Sequence, residues 1–237
     1  MMRKILFSMI ASLAIAGCSG NDDSTEIAIS DEVHFLKDNI SLKLGESILL
    51  DASRSIKECN LSVKDEFYTS ISINGNDAKL ITNKVGSTEI YIKYRDAKDT
   101  CTVTINPKTS KFGNPVLTLG ATRDYVEDQM INYQHGGTLG GFNGLRFSFT
   151  NSSDLYYEFD SSDKLVAIKQ IIKRSNVSLD DILTSMEERF NYVSSSNNVY
   201  WYRHEGVMTA RVEKTATETI IRFAKDANIM MQYFPWE

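Results

Sequence analysis

The side chains that most often perform chemistry are scattered in this sequence. His34, His135 and His204 lie far apart, and none has a histidine, cysteine or carboxylate partner at the spacing of metal ligands. Neighbouring carboxylates occur at Asp180–Asp181 and Glu187–Glu188. Adjacent residues of a helix diverge by about 100° and so cannot form an acid–base pair. We therefore expect no catalytic residue, no metal site and no cofactor.

Two other motifs resemble functional ones only in part. Ser161 and Lys164 have the serine–lysine spacing of penicillin-binding enzymes, but that chemistry needs a buried helix and later partner motifs. Here the two residues belong to a polar hairpin tip. The glycine-rich run His135–Gly141 follows a helical pattern and lacks the lysine of a phosphate-binding loop. We expect a flexible connection there, and we rank a hydrolase last among the functions considered.

Cys18 is the residue whose surroundings indicate a definite reaction. Arg3 and Lys4 precede an apolar run, Ile5–Ile15, that is shorter than the ~20 residues needed to span a bilayer. Leu13–Cys18 resembles the lipobox of bacterial lipoproteins, in which the cysteine thiol accepts a diacylglyceryl group. The expectation is a signal peptide over residues 1–17 and an acylated (palmitate-bearing) Cys18. An ordinary secretory signal with a chance cysteine is the alternative.

The residues after Cys18 indicate where the protein is anchored. Residues 18–30 are acidic and polar, as in a flexible tether. Ser19 resembles the second mature residue of lipoproteins sent to the outer membrane, and Asp22–Asp23 is similar to a signal for export to the cell surface. We expect a lipid-anchored outer-membrane protein, with cell-surface exposure implied by the second resemblance.

Composition excludes some partners. Cleavage before Cys18 leaves 220 of 237 residues, and losing Arg3 and Lys4 changes the net charge from −5 to −7. An acidic chain without a Lys/Arg-rich run is a poor nucleic-acid binder, because affinity there comes from neutralised phosphates. With 42% hydrophobic residues the chain is globular in composition.

Residues 31–106 have the pattern of short strands and turns. Apolar residues alternate at Ile40, Leu42 and Leu44, and Asn74–Gly75 is a hairpin dipeptide. This pattern predicts an all-β sandwich.

Several phrases of this segment resemble the bacterial immunoglobulin-like group 2 domain, namely Leu44–Ser47, Val85–Ile90 and Thr100–Ile105. The tryptophan typical of that family is missing, and Phe67 or Tyr68 lies nearby instead. The resemblance implies a spacer or adhesive module of a surface protein.

Cys59 and Cys101 fall within this segment, and each shares a face with core residues of its strand. Exported proteins keep disulfides. We predict a Cys59–Cys101 bridge, with two buried free thiols as the alternative.

Residues 107–117 contain two of the three prolines and predict a linker. In residues 118–237 the pattern changes to helices capped by Thr122 and Ser178, each followed by three apolar strands. The helices align at an offset of 56 residues, so we predict an α+β domain of helix plus three antiparallel strands, repeated twice. The alternative is that two amphipathic helices align by chance.

Leu117–Phe223 is similar to the beta-lactamase-inhibitor-like group, on element order and on the phrase Tyr156–Asp160 followed by Lys164–Leu165. The resemblance implies one continuous sheet whose open face grips another protein. Opposite the apolar positions the strands would present tyrosine and arginine, which protein interfaces enrich: Arg146, Tyr156, Glu158, Tyr200, Tyr202 and Arg203. Trp201 and Phe147 would point into the core. An ordinary polar face covered by helices or by the other domain is the alternative.

These observations favour a non-catalytic envelope lipoprotein, in which an immunoglobulin-like spacer presents an α+β module to an unknown protein or glycan. The alternative is a periplasm-facing inhibitor or assembly factor that acts through the same sheet.

Overall fold

The computed structural model describes residues 32–108, 113–138, 143–149 and 153–235. The predicted signal peptide, Cys18 and the tether lie outside the described residues. The first part contains a 3-10 turn at Ile56–Glu58 and seven strands, which are β1 (Asn39–Lys43), β2 (Ser47–Leu49), β3 (Asn60–Val63), β4 (Thr69–Asn74), β5 (Asp77–Thr82), β6 (Gly86–Tyr94) and β7 (Ala97–Asn106).

These strands form two sheets around one core. The order is β1-β7-β6-β3 in one sheet and β2-β5-β4 in the other. Alternate residues of β5, β6 and β7 point inward, and Leu80, Ile90 and Val103 are fully buried. The β4–β5 hairpin turns at Gly75, whose φ of 62° favours glycine. The predicted β-sandwich is therefore confirmed.

The strand order is immunoglobulin-like. In a seven-stranded immunoglobulin domain the second, fifth and fourth strands share one sheet, and the third, sixth and seventh share the other. Both groupings occur here. Before β1, Phe35 forms an isolated antiparallel bridge with Ala52, which follows β2, and β1 then pairs in parallel with β7. The first part of the chain is an immunoglobulin-like sandwich.

The predicted disulfide between Cys59 and Cys101 is not present, because both thiols are free. Asn60, next to Cys59, pairs with Lys93 of β6, whereas Cys101 pairs with Ile90 on the other side of β6. Two strand spacings, ~9.5 Å, separate β3 from β7. A disulfide needs Cα atoms within about 7 Å. Cys101 lies in β7, whereas Cys59 immediately precedes β3, a strand that is not adjacent to β7 in the sheet. Alternation alone cannot reveal this separation.

The described residues of the second part form three helices and eight strands, in the order α1 (Arg123–Gln129), β8 (Gln134–Thr138), β9 (Gly144–Phe149), β10 (Ser153–Phe159), β11 (Leu165–Lys173), α2 (Leu179–Arg189), β12 (Asn191–Ser196), β13 (Val199–His204), β14 (Met208–Lys214), β15 (Glu218–Ala224) and α3 (Ala227–Tyr233). Thr122 and Ser178 cap α1 and α2 as predicted, because each side chain accepts a backbone N–H of the first turn. The longest described helix has 11 residues, and none of the described helices could cross a membrane.

All eight strands belong to one antiparallel sheet of order β12-β13-β14-β15-β11-β10-β9-β8. Its inner face packs against α1 and α2, with Val126 and Met186 in the same core as Phe147 and Tyr157. Its outer face is crossed by α3, whose Met230 packs on residues of β11 and β15. The sheet therefore has a helical layer on one face and a single short helix on the other.

The predicted α+β class is wrong. The described chain is mostly β, and no unit of helix plus three strands is repeated. Two strands differ from the prediction, because β8 overlaps the expected flexible connection His135–Gly141 and β12 has no predicted counterpart. Both are edge strands, and every residue of β12 is exposed. An exposed strand has no buried side to produce alternation.

The predicted division into a sandwich domain (31–106), a linker (107–117) and a C-terminal domain (118–237) stays a prediction. The sandwich and the C-terminal sheet have separate hydrophobic cores, and several contacts join them.

Candidate functional site

The sandwich holds the C-terminal sheet at the end of α2. The Lys84 Nζ donates to the carbonyl oxygens of Glu187 (2.7 Å) and Phe190 (3.0 Å). The backbone N–H of Val85 donates to the Glu188 carbonyl at 2.8 Å. The last carbonyls of a helix have no partner within it, and a cation is favourable at its negative end. Residues of the sandwich thus complete the end of α2 and fix its direction. We call these contacts the junction.

His204, at the end of β13, belongs to the same junction. Its ring stacks on Phe67 with centroids 3.7 Å apart, and its Nε2 lies 3.6 Å from Asp65 Oδ2. Burial lowers the pKa of His204 below its ordinary value, although Asp65 acts in the opposite direction. Phe67 and Tyr68 therefore contact the neighbouring sheet through the His204 ring. A cavity of about 570 Å³ lies at the junction, and Arg189 is part of its lining. The Arg189 guanidinium already donates to the backbone and side-chain oxygens of Ser185.

One row of residues crosses the outer face of the sheet. Strand register places six side chains side by side on six neighbouring strands, and the order is Arg146, Tyr156, Lys169, Arg222, Arg211 and Trp201. We call this the outer-face row. It contains two of the predicted binding residues, and it combines four cations with an aromatic ring near each end.

The cations of this row already have partners. Arg211 and Arg222 donate to the same Glu213 oxygen, and both are 6% exposed. Burial alone would raise the pKa of Glu213, but these hydrogen bonds lower it. The Lys169 Nζ lies 4.7 Å from the Tyr156 ring centroid, and burial and Arg222 lower the pKa of this ammonium group. The middle of the row is an internal network rather than an open anion site.

The residues of the predicted recognition surface lie on two different faces of the sheet. Arg146, Tyr156 and Arg203 lie on the outer face, where Arg146 pairs with Asp154 and Arg203 with Glu205. Glu158 is also on this side, 2% exposed, and burial raises the pKa of its carboxyl.

Tyr200 and Tyr202 instead point to the inner face, and Tyr202 is 1% exposed in the main core. Trp201, predicted as a core residue beside Phe147, points to the outer face against α3. The prediction reversed the inner and outer faces of β13.

The outer face remains open around Trp201. A shallow pocket of about 500 Å³ lies where β12, β13 and β14 meet the start of α3. Its lining includes Val193, Ser194, Trp201, Arg203, Thr209 and Asp226. We call it the Trp201 pocket. Val193 is 50% exposed and the Arg203 side chain 49%, so the rim combines apolar surface, an aromatic ring and a reachable cation.

The sequence contains a signal for α3 that the prediction did not use. Asp226 Oδ1 accepts the backbone N–H of Asn228 (2.9 Å) and Ile229 (3.0 Å), as an N-cap does. Met230 and Phe234 then follow at helical spacing and pack on the outer face. An N-cap residue before this apolar pair could have placed a helix there, and with it the pocket.

The Trp201 pocket presents groups of several chemical types. No group of three or more His, Cys, Asp or Glu side chains among the described residues could hold a metal ion. The Trp201 pocket contains one carboxylate, and that carboxylate caps α3. Its aromatic ring, guanidinium and hydroxyl groups are suited to binding.

No protein-family model matches this sequence, and no curated protein matches it as a relative. Among solved structures, the chain is similar to domains 5-6 of the S-layer protein SbsC, with 12% identity, 81% of this chain and 82% of that chain covered, and a TM-score of 0.27. It is also similar to titin Ig tandem domains A164-A165, with 11% identity, 83% of each chain covered and a TM-score of 0.26. A structure of titin kinase and its flanking domains matches 34% of this chain at 8% identity and a TM-score of 0.26, and this chain covers 18% of its length. The assignment of an immunoglobulin-like sandwich rests on its own strand order.

Proposed function

We propose that this protein is a non-catalytic lipoprotein of the bacterial envelope that binds a protein partner at the Trp201 pocket. The lipobox resemblance at Leu13–Cys18 supports the anchor. The immunoglobulin-like sandwich acts as a spacer between that anchor and the C-terminal sheet. The observation that carries the proposal is the pocket itself, in which Trp201 lies on the open part of the outer face beside Val193 and Arg203.

The residue types of the pocket favour a protein partner. Tryptophan and arginine are over-represented among the residues that dominate binding energy at protein interfaces. Here a half-buried indole lies at the centre, while Arg203 and Val193 are about half exposed at the rim. The junction supports this role, because α2 and β13 are held by the sandwich at Lys84 and Phe67. A spacer fixed in this way presents the pocket in a defined direction.

A glycan is the second candidate, because an exposed indole can stack on a sugar and Asn228 lies nearby. A sugar also needs open hydrogen-bond acceptors. The Asp226 carboxylate already accepts two backbone N–H groups at the start of α3. The mixed apolar and cationic rim therefore favours protein over glycan.

The test is affinity capture from envelope extracts with the whole mature chain, comparing wild type with Trp201→Ala. We expect Trp201→Ala to capture less partner, because truncating a dominant interface aromatic lowers affinity about thirtyfold. Tyr125→Ala is the matched control, since Tyr125 is an exposed aromatic on α1. Equal capture by wild type and Trp201→Ala would reject the pocket.

The anchor is tested separately. Cys18→Ala should release the protein from membranes or leave it unprocessed, and a processed variant that stays membrane-bound would reject the lipobox. Protease treatment of intact cells then distinguishes a surface-exposed protein from a periplasm-facing inhibitor or assembly factor.

A further inference from the structure

Strand β12 is an edge with an exposed backbone. It pairs with β13 on one side, from Asn191↔Arg203 to Ser196↔Val199, and ends the sheet on the other. All six of its residues are exposed. The outward N–H and C=O groups of an edge strand are matched in direction and spacing only by another extended backbone.

The sequence of this edge permits such pairing. Asn191–Asn198 contains no charged residue and no proline, whereas natural edge strands commonly use lysine or proline to prevent pairing. Ser194, Ser195 and Ser196 are small, so a second backbone can approach to strand distance.

The edge and the Trp201 pocket are continuous, because Val193 and Ser194 of β12 line the pocket. An added strand places alternate side chains on each face of the sheet. Its outer-face side chains next to β12 would therefore lie over the pocket beside Trp201. Recognition by strand addition combines these features, with affinity from the backbone and specificity from pockets for alternate side chains.

We infer that the partner binds as a ninth strand along β12, through an extended segment that is uncharged beside the edge and places one large apolar side chain in the Trp201 pocket. This inference rests on the proposed function. A second copy of this chain fits less well, since β12 would offer the pocket only serines, Val193 and Tyr192. The Tyr192 ring already contacts Tyr202 at 5.7 Å on the inner face, which would leave most of the pocket unfilled.

The experiment uses a blocked eight-residue peptide of alternating threonine and valine with one central phenylalanine. Its matched control carries N-methyl groups on the backbone nitrogens that face β12. Hydrogen exchange of the whole mature chain is followed at β12 and at β4, a second strand without charged residues. We expect slowed exchange in Asn191–Ser196 but not in Thr69–Asn74. N-methylation should weaken binding at least about tenfold, since several hydrogen bonds are lost.

Variants give an independent comparison. Ser195→Lys should weaken binding of the peptide about tenfold, because an edge lysine opposes strand pairing. Ser72→Lys, the same change at an exposed position of β4, should leave it unchanged. Equal loss in both variants, or equal exchange protection of β12 and β4, would overturn the inference.

Other outcomes separate the inference from the proposed function. A change in tryptophan fluorescence that is lost in Trp201→Ala, without slowed exchange in β12, would reject strand addition and leave the pocket standing. Dimerisation through β12 in the absence of peptide would assign the edge to a second copy and reject the partner segment. If neither fluorescence nor exchange responds, both proposals fail.

Discussion

Replacing Tyr202 by alanine tests which face of β13 is buried. The Tyr202 ring is 1% exposed and lies in the core shared with Phe223 and Val212. Truncating a fully buried aromatic costs about 3–5 kcal/mol, and the edge-on contact with the Tyr192 ring adds ~0.5–1.5 kcal/mol. A domain of this kind has about 5–15 kcal/mol of stability in total. We expect Tyr202→Ala to lose about a quarter or more of this stability, measured by urea unfolding followed by circular dichroism.

Three variants make this result specific. Tyr202→Phe keeps the ring, so we expect a loss below about 1.5 kcal/mol. Tyr192→Ala removes a ring that is 52% exposed and should cost about 1 kcal/mol. Trp201→Ala removes a half-buried ring beside α3, with an intermediate effect of ~1–2 kcal/mol. The reasoning is refuted if Tyr202→Ala unfolds like wild type while Trp201→Ala loses 3 kcal/mol or more, on the order of a core truncation.

Three further measurements test the junction and the thiols. Lys84→Met should lower the free energy of unfolding by about 1 kcal/mol, because two carbonyls at the end of α2 lose a partly solvated donor. The control Lys79→Met, at an exposed position of β5, should change the free energy of unfolding little. Acidification from about pH 7.5 to 5 should destabilise wild type more than His204→Phe. The folded protein keeps the pKa of His204 below its unfolded value of about 6.5, so the stability that this histidine contributes above that value is lost as the pH falls. Equal pH slopes of the two proteins would contradict this reasoning. Cys59 and Cys101 should both be alkylated in the unreduced, denatured protein, and protection until a reductant is added would show that a bridge forms after all.

The strands with one buried side could be predicted from the sequence. Residues Leu145, Phe147, Leu155 and Tyr157 alternate with polar residues, and all four are buried on the inner face. The starts of the helices could also be predicted from the sequence, since Ser178 accepts the N–H of Asp181 as an N-cap residue does. In both cases the decisive interaction lies within a few residues along the chain.

The edge strands and the assembly of the sheet could not be predicted in this way. Every residue of β12 is exposed, so its sequence lacks period-two alternation. The pairing of β11 with β15, which joins the strands into one sheet, connects Ile172 to Thr219 over 47 residues. The Cys59–Cys101 prediction failed for the same reason, because strand order is a long-range property.

The predicted directions of the β13 side chains were reversed because this strand carries large side chains on both faces. In Val199–His204, tyrosines alternate with valine, tryptophan and arginine, so hydropathy alone does not identify the buried side. Which side of β13 is buried is decided by elements that are distant in sequence. Tyr202 faces the core that α1 and α2 cover, whereas Trp201 meets α3 and Arg211. Because α3 covers only the middle of the outer face, Trp201 keeps an open pocket on its β12 side. The binding proposal therefore moves by one residue along β13, from the tyrosines to the tryptophan, and to the opposite face of the sheet.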